Sequence, residues 1–178
     1  MNDLRFSRTF TLLLQEGHLA RASLLLGIDL LLKANLDERR VGNFYSAFFQ
    51  LTIGIERILK LVVITNHMLE NNYKPPTDED LRKKYGHNIK ATYLYALSVG
   101  NKWRHERVVA PVSGSIEDKV FEFLEKFANK ARYYNLRELN NATADCGPLG
   151  DWCSICQSVA NTEIGQIKLN KDAEKLMH

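Results

Sequence analysis

Apolar residues recur along most of the chain at the three- and four-residue spacing of an α-helix, and no alternating pattern of useful length indicates a strand. The clearest stripe lies in the segment 44–70 and comprises Phe44, Phe48, Leu51, Ile55, Ile58 and Val62. A second apolar strip on the same segment is formed by Phe49, Ile53 and Val63. The pattern therefore predicts a central helix that packs on more than one side.

The segment before this one, 17–36, also has a helical pattern. Its shared apolar face comprises Leu24, Ile28 and Leu31. Asp29 stands four residues before Lys33, a spacing at which opposite charges stabilise a helix. We therefore expect a first long helix over this segment.

Capping residues mark the starts of two later helices. Thr77, with Asp80 three residues further on, predicts a short helix, and another helix follows over about 87–99. Ser115 with Asp118 predicts a fourth long helix in the same way. The apolar stripe of that helix comprises Ile116, Val120, Phe123, Phe127, Ala131 and Tyr134.

The pattern weakens beyond residue 134, where it predicts a loop, a short amphipathic piece around "LGDWCSICQSVA" and a polar tail. Four long amphipathic helices without strands predict an all-α fold, an antiparallel four-helix bundle with extra N- and C-terminal helical segments. A length of 178 residues favours a single domain spanning 1–178.

Composition and charge narrow the classes of protein. The chain is 45% hydrophobic and 25% charged, which is ordinary for a globular protein. Its net charge of +3 means that any affinity for nucleic acid must come from a local patch. The most apolar stretch, 24–32, is too short to cross a bilayer, and no signal peptide is visible, so we expect no membrane association. Three cysteines, a low and odd number, fit the reducing cytoplasm.

The stretch "RKKYGH" contains the candidate catalytic pair, Arg82 and His87. Metal-free RNA cleavage needs an acid or base near neutral pH, which histidine supplies, and a cation against the phosphate, which arginine supplies. The alternative is that Arg82 is a solvated cation and that His87 fastens its helix to the central one, through Glu56. Because so short a match arises often by chance, the alternative is favoured.

Basic residues cluster around this stretch, and aromatic residues lie between them. The candidate nucleic-acid-binding residues are Lys83, Lys84, Lys90, Lys102, Trp103, Arg104, His105 and Arg107. Cations with aromatic residues such as Tyr85 and Tyr93 suit single-stranded RNA, which is held by phosphate contacts and base stacking. Nearby acidic residues dilute the patch, so a solvated face of mixed charge is the alternative.

Two further groups of residues have structural and chemical interpretations. Glu56 lies among apolar residues, where it is expected to be paired with Lys60, His87 or Tyr85 in a structural polar core. The cysteines Cys146, Cys153 and Cys156 include a C-x-x-C spacing. Zinc requires four ligands, and the sequence has no second C-x-x-C pair, so we expect no metal and no cofactor. Cys153 and Cys156 are instead expected to pack beside Trp152.

The order of features from 44 to 97 resembles the HEPN superfamily of small all-helical domains. The resemblance is carried by "FYSAFFQ" (44–50), "GIERILKL" (54–61) and "GHNI" (86–89), with "ARYYNL" (131–136) similar to uncharacterised bacterial proteins of this type. It covers roughly 17–137 and leaves 138–178 as an accessory segment. It implies a helical bundle that often forms dimers.

HEPN proteins include metal-independent ribonucleases of toxin and phage-defence systems, and non-catalytic members that bind nucleic acid or partner proteins. The catalytic Arg and His of the family lie late in the domain, whereas Arg82 and His87 precede the third long helix. The resemblance thus implies a homodimer that binds RNA or a partner protein in a bacterial defence or toxin–antitoxin setting. The alternatives are an endoribonuclease using Arg82 and His87, or Arg104 and His105, and a protein-interaction adaptor without nucleic-acid binding.

Overall fold

The computed structural model describes residues 7–37, 40–103, 109–140 and 147–176, with side chains as far as residue 162. The helices are α1 (Arg8–Lys33), α2 (Val41–Glu70), α3 (Asp78–Lys84), α4 (Ile89–Trp103), α5 (Ile116–Asn129), α6 (Tyr134–Glu138) and α7 (Pro148–Leu176), with a 3-10 turn (Ala131–Tyr133) before α6. The described residues contain no strand, so the predicted all-α helical bundle is confirmed.

The first two helices form a long antiparallel hairpin. Near its turn, Asn43 Nδ2 donates to the Lys33 carbonyl over 3.4 Å, and further along Arg57 forms an ion pair with Glu16. The facing positions are small and buried: Ala20, Gly27, Ala47 and Gly54. This seam of small residues lets the two backbones approach closely.

The two glycines of the seam fit reciprocally against leucines of the opposite helix. A Cβ added to Gly27 would lie 2.7 Å from Leu51 Cγ, and one added to Gly54 would lie 2.7 Å from Leu24 Cγ. Contacts that short do not occur between carbon atoms in relaxed proteins, so each position requires glycine at the present helix separation. The hairpin is therefore held by shape at its seam more than by large side chains.

The other side of α2 packs against α4, α5 and α7 in an aromatic core. The buried core residues are Phe48, Leu59, Ile89, Phe123, Leu124, Phe127, Ala128, Ala131 and Ile155. The Phe48 ring centroid lies 4.7 Å from that of Phe123 and 5.3 Å from that of Trp152. Edge-on and tilted arrangements of this kind are favourable for aromatic rings.

The relative direction of α2 and α4 cannot be read from the hydrophobic pattern of the sequence. The start of α4 meets the middle of α2 at His87 and Glu56, and its end meets the end of α2 at Lys102 and Glu70. These two neighbours therefore run in the same direction, because the chain returns through α3 before α4 begins. The α1–α2, α4–α5 and α5–α7 pairs are antiparallel.

Local signals mark the starts of two helices correctly. Thr77 Oγ1 accepts the Asp80 N–H over 3.1 Å, and Ser115 Oγ accepts the Asp118 N–H over 3.3 Å, so both predicted caps are confirmed. The first helix, however, begins at Arg8 and not at 17, because Ser7 caps it by accepting the Phe10 N–H. The last helix is also much longer than the predicted short piece.

Three predicted core positions are wrong. Ile28 and Ile58 are about half exposed, at 51% and 46%, and Phe49 is 36% exposed. The reason is that an apolar stripe shows which face of a helix is apolar, whereas the cover of each position depends on how the neighbouring helices pack. Leu59, the neighbour of Ile58, is buried on the aromatic side instead.

Candidate functional site

Glu56, Lys60 and His87 form a polar group where the start of α4 meets α2. His87 Nδ1 lies 3.1 Å from Glu56 Oε1, and Lys60 Nζ lies 3.8 Å from Oε2 of the same carboxylate. The Glu56 side chain is only 14% exposed, and a carboxylate in that position needs partners to offset its lost hydration. Glu56 thus contacts two of the three partners expected from the sequence, Lys60 and His87.

The chain around His87 is held from two sides. Gly86 adopts φ +38°, a conformation that glycine reaches easily, and so turns the chain between α3 and α4. Asn88 Oδ1 then accepts the Ala91 N–H over 3.0 Å at the start of α4. From α5, Asn129 Nδ2 donates to the His87 carbonyl over 3.4 Å. This network explains how a partly exposed histidine is positioned against α2.

Arg82 does not join this polar group. It lies exposed on α3, and none of the described residues forms an ion pair with it. The cavity beside Glu56 and His87 has a volume of about 10 Å³, close to the minimum for one water, and Arg82 is not part of its lining. The described residues therefore do not bring Arg82 and His87 together in a cleft that would admit a phosphate.

Most of the predicted nucleic-acid-binding lysines have partners within the chain. Lys83 Nζ lies 2.5 Å from Glu79 Oε1, and Lys102 Nζ lies 2.6 Å from Glu70 Oε1. Lys84 Nζ stands 5.8 Å from the centre of the Tyr85 ring. These are surface contacts that a stronger ligand can displace, but together they lower the free positive charge of this face.

Lys90 is the most strongly engaged of these cations. Its Nζ lies 2.7 Å from Glu122 and 2.9 Å from Asp118, and its backbone N–H donates to Glu125 over 2.7 Å. The hydrogen bonds to Glu122 and Asp118 raise the pKa of Lys90 above its usual range. The bond from Lys90 and the Gly114 N–H in turn lower the pKa of the buried Asp118 carboxyl. Lys90 thus joins α4 to α5, and its charge is committed there.

A chain of polar and aromatic side chains links the ends of α2 and α4. The buried Asn66 donates from Nδ2 to Tyr95 Oη over 3.0 Å and accepts the Trp103 Nε1–H at Oδ1 over 3.1 Å. The Tyr85 ring lies 5.4 Å from Tyr95, and burial raises the pKa of Tyr85. Sequence reasoning missed Asn66, although an asparagine inside the apolar run "VVITNHML" is a signal of a buried amide.

Lys102 and Trp103 form the exposed end of this chain. Lys102 Nζ stands 5.1 Å from the centre of the Trp103 ring, which is 57% exposed. Arg104, His105 and Arg107, which complete the predicted basic cluster, lie outside the described residues, as does Cys146.

The prediction that Cys153 and Cys156 are packing residues is wrong. Both are exposed free thiols on α7. That helix faces the core through Leu149, Trp152 and Ile155, whose spacing of three places the cysteines on its outer side. Within the described part of the chain, no group of three or more His, Cys, Asp or Glu residues is arranged to hold a metal ion.

An exposed line of leucines lies on α1, and sequence reasoning missed it. Leu12, Leu19 and Leu26, here called the leucine stripe, follow one another at intervals of seven and are 50%, 48% and 45% exposed. The signal was present in the sequence, but the predicted helix began at 17 and so excluded Leu12. On another flank of α1, Leu14, Ile28 and Leu32 are exposed as well.

The chain matches no family model, no curated protein and no solved structure. No helix in the described ranges is long and apolar enough to cross a membrane. The described helices form an all-α bundle, and exposed leucines lie along the outer side of α1.

Proposed function

We propose that this protein is a helical interaction module that self-associates through the leucine stripe of α1. The observation that carries the proposal is the exposure of Leu12, Leu19 and Leu26 along one side of a helix that packs on α2 by a different side. Exposed apolar surface in a continuous line is typical of an interface. Among the described helices, α2 is the one with which α1 makes its extensive contact.

The stripe is complementary to itself. Its members are evenly spaced about Leu19, so an antiparallel second copy brings Leu19 against its own equivalent and Leu12 against Leu26 of that copy. The three side chains span about 21 Å along the helix. Ala22 and Ser23 are small and lie beside Leu19, so they leave room for a close approach. A contact that repeats itself under a two-fold rotation closes as a dimer and stops there.

The resemblance to HEPN proteins supports the same proposal, because members of that superfamily often act as dimers. It also carries the expectation of a cytoplasmic protein in a bacterial defence or toxin–antitoxin setting. Among the alternatives, an endoribonuclease built on Arg82 and His87 has less support, because the cavity beside His87 holds about 10 Å³ and Arg82 does not line it.

The test is the mass of the protein in solution, measured by sedimentation at several concentrations. We expect a dimer for the unchanged chain and a monomer for Leu19→Lys, because two ammonium groups then meet at the two-fold axis. Leu14→Lys is the matched control, since Leu14 is 51% exposed on another flank of α1. A monomer for the unchanged chain at tens of micromolar, or a monomer for both variants, would refute the proposal.

Binding of single-stranded RNA is a second candidate, favoured by the exposed Trp103 ring with Lys102 beside it. A stacked base contributes about 1–3 kcal/mol, so Trp103→Ala should weaken binding of a labelled oligonucleotide roughly 5- to 150-fold. Tyr133→Ala, which removes another exposed ring, is the control. Affinity that is unchanged in Trp103→Ala, or independent of salt, would count against this candidate.

A further inference from the structure

Cys153 and Cys156 stand side by side on the solvent face of α7. They are three residues apart, so they occupy neighbouring positions on successive turns of one helix. Both are free thiols. Desolvation and the neighbouring Cys153 raise the pKa of the Cys156 thiol.

The helix that carries them is fixed on both sides of the pair. Before it, Lys126 Nζ of α5 lies 2.9 Å from Asp151 Oδ2, and after it, Lys119 Nζ lies 3.4 Å from Ser158 Oγ. Ile155, between the two cysteines, is buried in the core. The thiols are therefore presented by a rigid frame with a constant spacing.

That spacing distinguishes between the reactions open to two thiols. Residues three apart on a helix have Cβ atoms about 5–6 Å from one another. A disulfide needs Cβ atoms about 3.5–4.5 Å apart, so it forms here only if the helix distorts. An ion inserted between the sulfur atoms bridges the longer distance without moving the backbone.

The number of ligands selects the ion. Structural zinc takes four ligands, and no described cluster of three or more His, Cys, Asp or Glu residues includes these cysteines. Soft ions such as Cu(I) prefer thiolates and are satisfied by few of them. We propose that Cys153 and Cys156 form a two-thiolate site for a soft monovalent ion of the Cu(I) class.

The binding step involves no oxidation. Two thiols release two protons to solvent, and the two thiolates coordinate one Cu(I), which keeps its oxidation state. Because a thiol must lose its proton to bind, affinity should fall as the pH is lowered. The site does not depend on self-association, since both ligands come from one chain.

The experiment is an anaerobic titration of the reduced full-length protein with Cu(I), in competition with a coloured Cu(I) chelator. We expect one tightly held ion per chain, and at least a tenfold loss of affinity in Cys153→Ser and in Cys156→Ser. Cys146→Ser should bind as the unchanged chain does. One ion per two chains, or undiminished binding by either serine variant of the pair, would overturn the proposal.

Two double variants test the spacing itself at a constant number of thiols. Cys156→Ser with Gln157→Cys places the thiols four apart, still neighbours on the helix, and should retain binding. Cys156→Ser with Val159→Cys places them six apart, on different sides, and should lose it. The positions that receive the new cysteine, 157 and 159, are exposed, so we expect both double variants to keep the fold. Equal affinity in the two double variants would show that the helix does not position the pair, and the proposal would fail.

Discussion

The two sides of α2 are built on opposite principles. Toward α4, α5 and α7 it presents large aromatic and branched residues, and Phe48 there is completely buried among other rings. Toward α1 it presents Ala47 and Gly54. These small residues let the two helices approach closely, but they bury little apolar surface. A seam of small residues leaves the flanks of α1 uncovered. The comparison indicates that stability resides mainly in the aromatic side, while α1 is the surface available to a partner.

The largest effect is expected on the aromatic side. Phe48→Ala removes a ring that is 0% exposed and packs against Phe123, Phe127 and Trp152. Truncation of a buried phenylalanine costs about 3–5 kcal/mol, because the lost transfer energy adds to that of the cavity left behind. Denaturant unfolding followed by circular dichroism measures this loss. A loss below about 1 kcal/mol would mean that the core does not depend on Phe48.

A smaller effect is expected on the seam. In Gly27→Ala, the gain in helix propensity, up to about 1 kcal/mol, opposes a clash whose cost is about 1–3 kcal/mol. We expect a net loss of about 1 kcal/mol, because the added Cβ lies 2.7 Å from Leu51 Cγ. Thermal unfolding measures the difference.

Gly17→Ala is the matched control on the same helix. Apart from the surrounding backbone of α1 itself, no atom lies within 4 Å of its added Cβ, so this variant should gain stability of up to about 1 kcal/mol. If the two glycine variants shifted the unfolding free energy in the same direction, the seam would not be closely packed, and the contrast between the two sides of α2 would be weakened.

Whether a feature of the fold can be predicted from the sequence depends on how far apart along the chain its interacting residues lie. Helix stripes and caps are local, so the pattern predicted the all-α bundle, the caps at Thr77 and Ser115, and the Asp29–Lys33 pair, whose atoms lie 2.6 Å apart. A stripe shows which face of a helix is apolar and does not show which neighbour covers it. The exposure of Ile28 and Ile58 was missed for that reason.

The candidate site divides in the same way. A contact of Glu56 with Lys60, His87 or Tyr85 could be expected from the sequence, because a buried carboxylate requires a partner, and Glu56 lies 3.1 Å from His87 in the structure. Lys90 forms ion pairs with Asp118 and Glu122, which lie about 30 positions further along the chain. No local sequence pattern indicates contacts between residues so far apart. The exposure of Cys153 and Cys156 depends on which face of α7 meets α5, and that is decided by packing.

The third prediction concerns the loss of stability at low pH. It depends on the contact between α4 and α5, on the aromatic side of α2. The hydrogen bond from Lys90 lowers the pKa of Asp118, so the carboxylate stabilises the fold above its unfolded pKa of about 3.9. That contribution is lost as the pH falls through the lower pKa of the folded state. Between pH 5 and pH 2, the unfolding midpoint of the unchanged protein should therefore fall more than that of Asp118→Asn. Parallel acid titrations of the two proteins would contradict the assignment.

The smallest effect is expected where α4 begins, at His87. The His87 side chain is 58% exposed and contacts Glu56 through one ring nitrogen, and a single hydrogen bond contributes about 0.5–1.5 kcal/mol, so His87→Ala should cost about 1 kcal/mol. Arg82→Ala should leave the unfolding free energy unchanged, because Arg82 has no ion-pair partner among the described residues.

Glu56→Gln tests the contact from the other side, since it keeps the shape of the side chain and removes its charge. If His87 acts through Glu56, the combined variant His87→Ala with Glu56→Gln should lose less than the sum of the two single losses. Strict additivity would mean that the 3.1 Å contact contributes nothing, and His87 would then be free for another role at this surface.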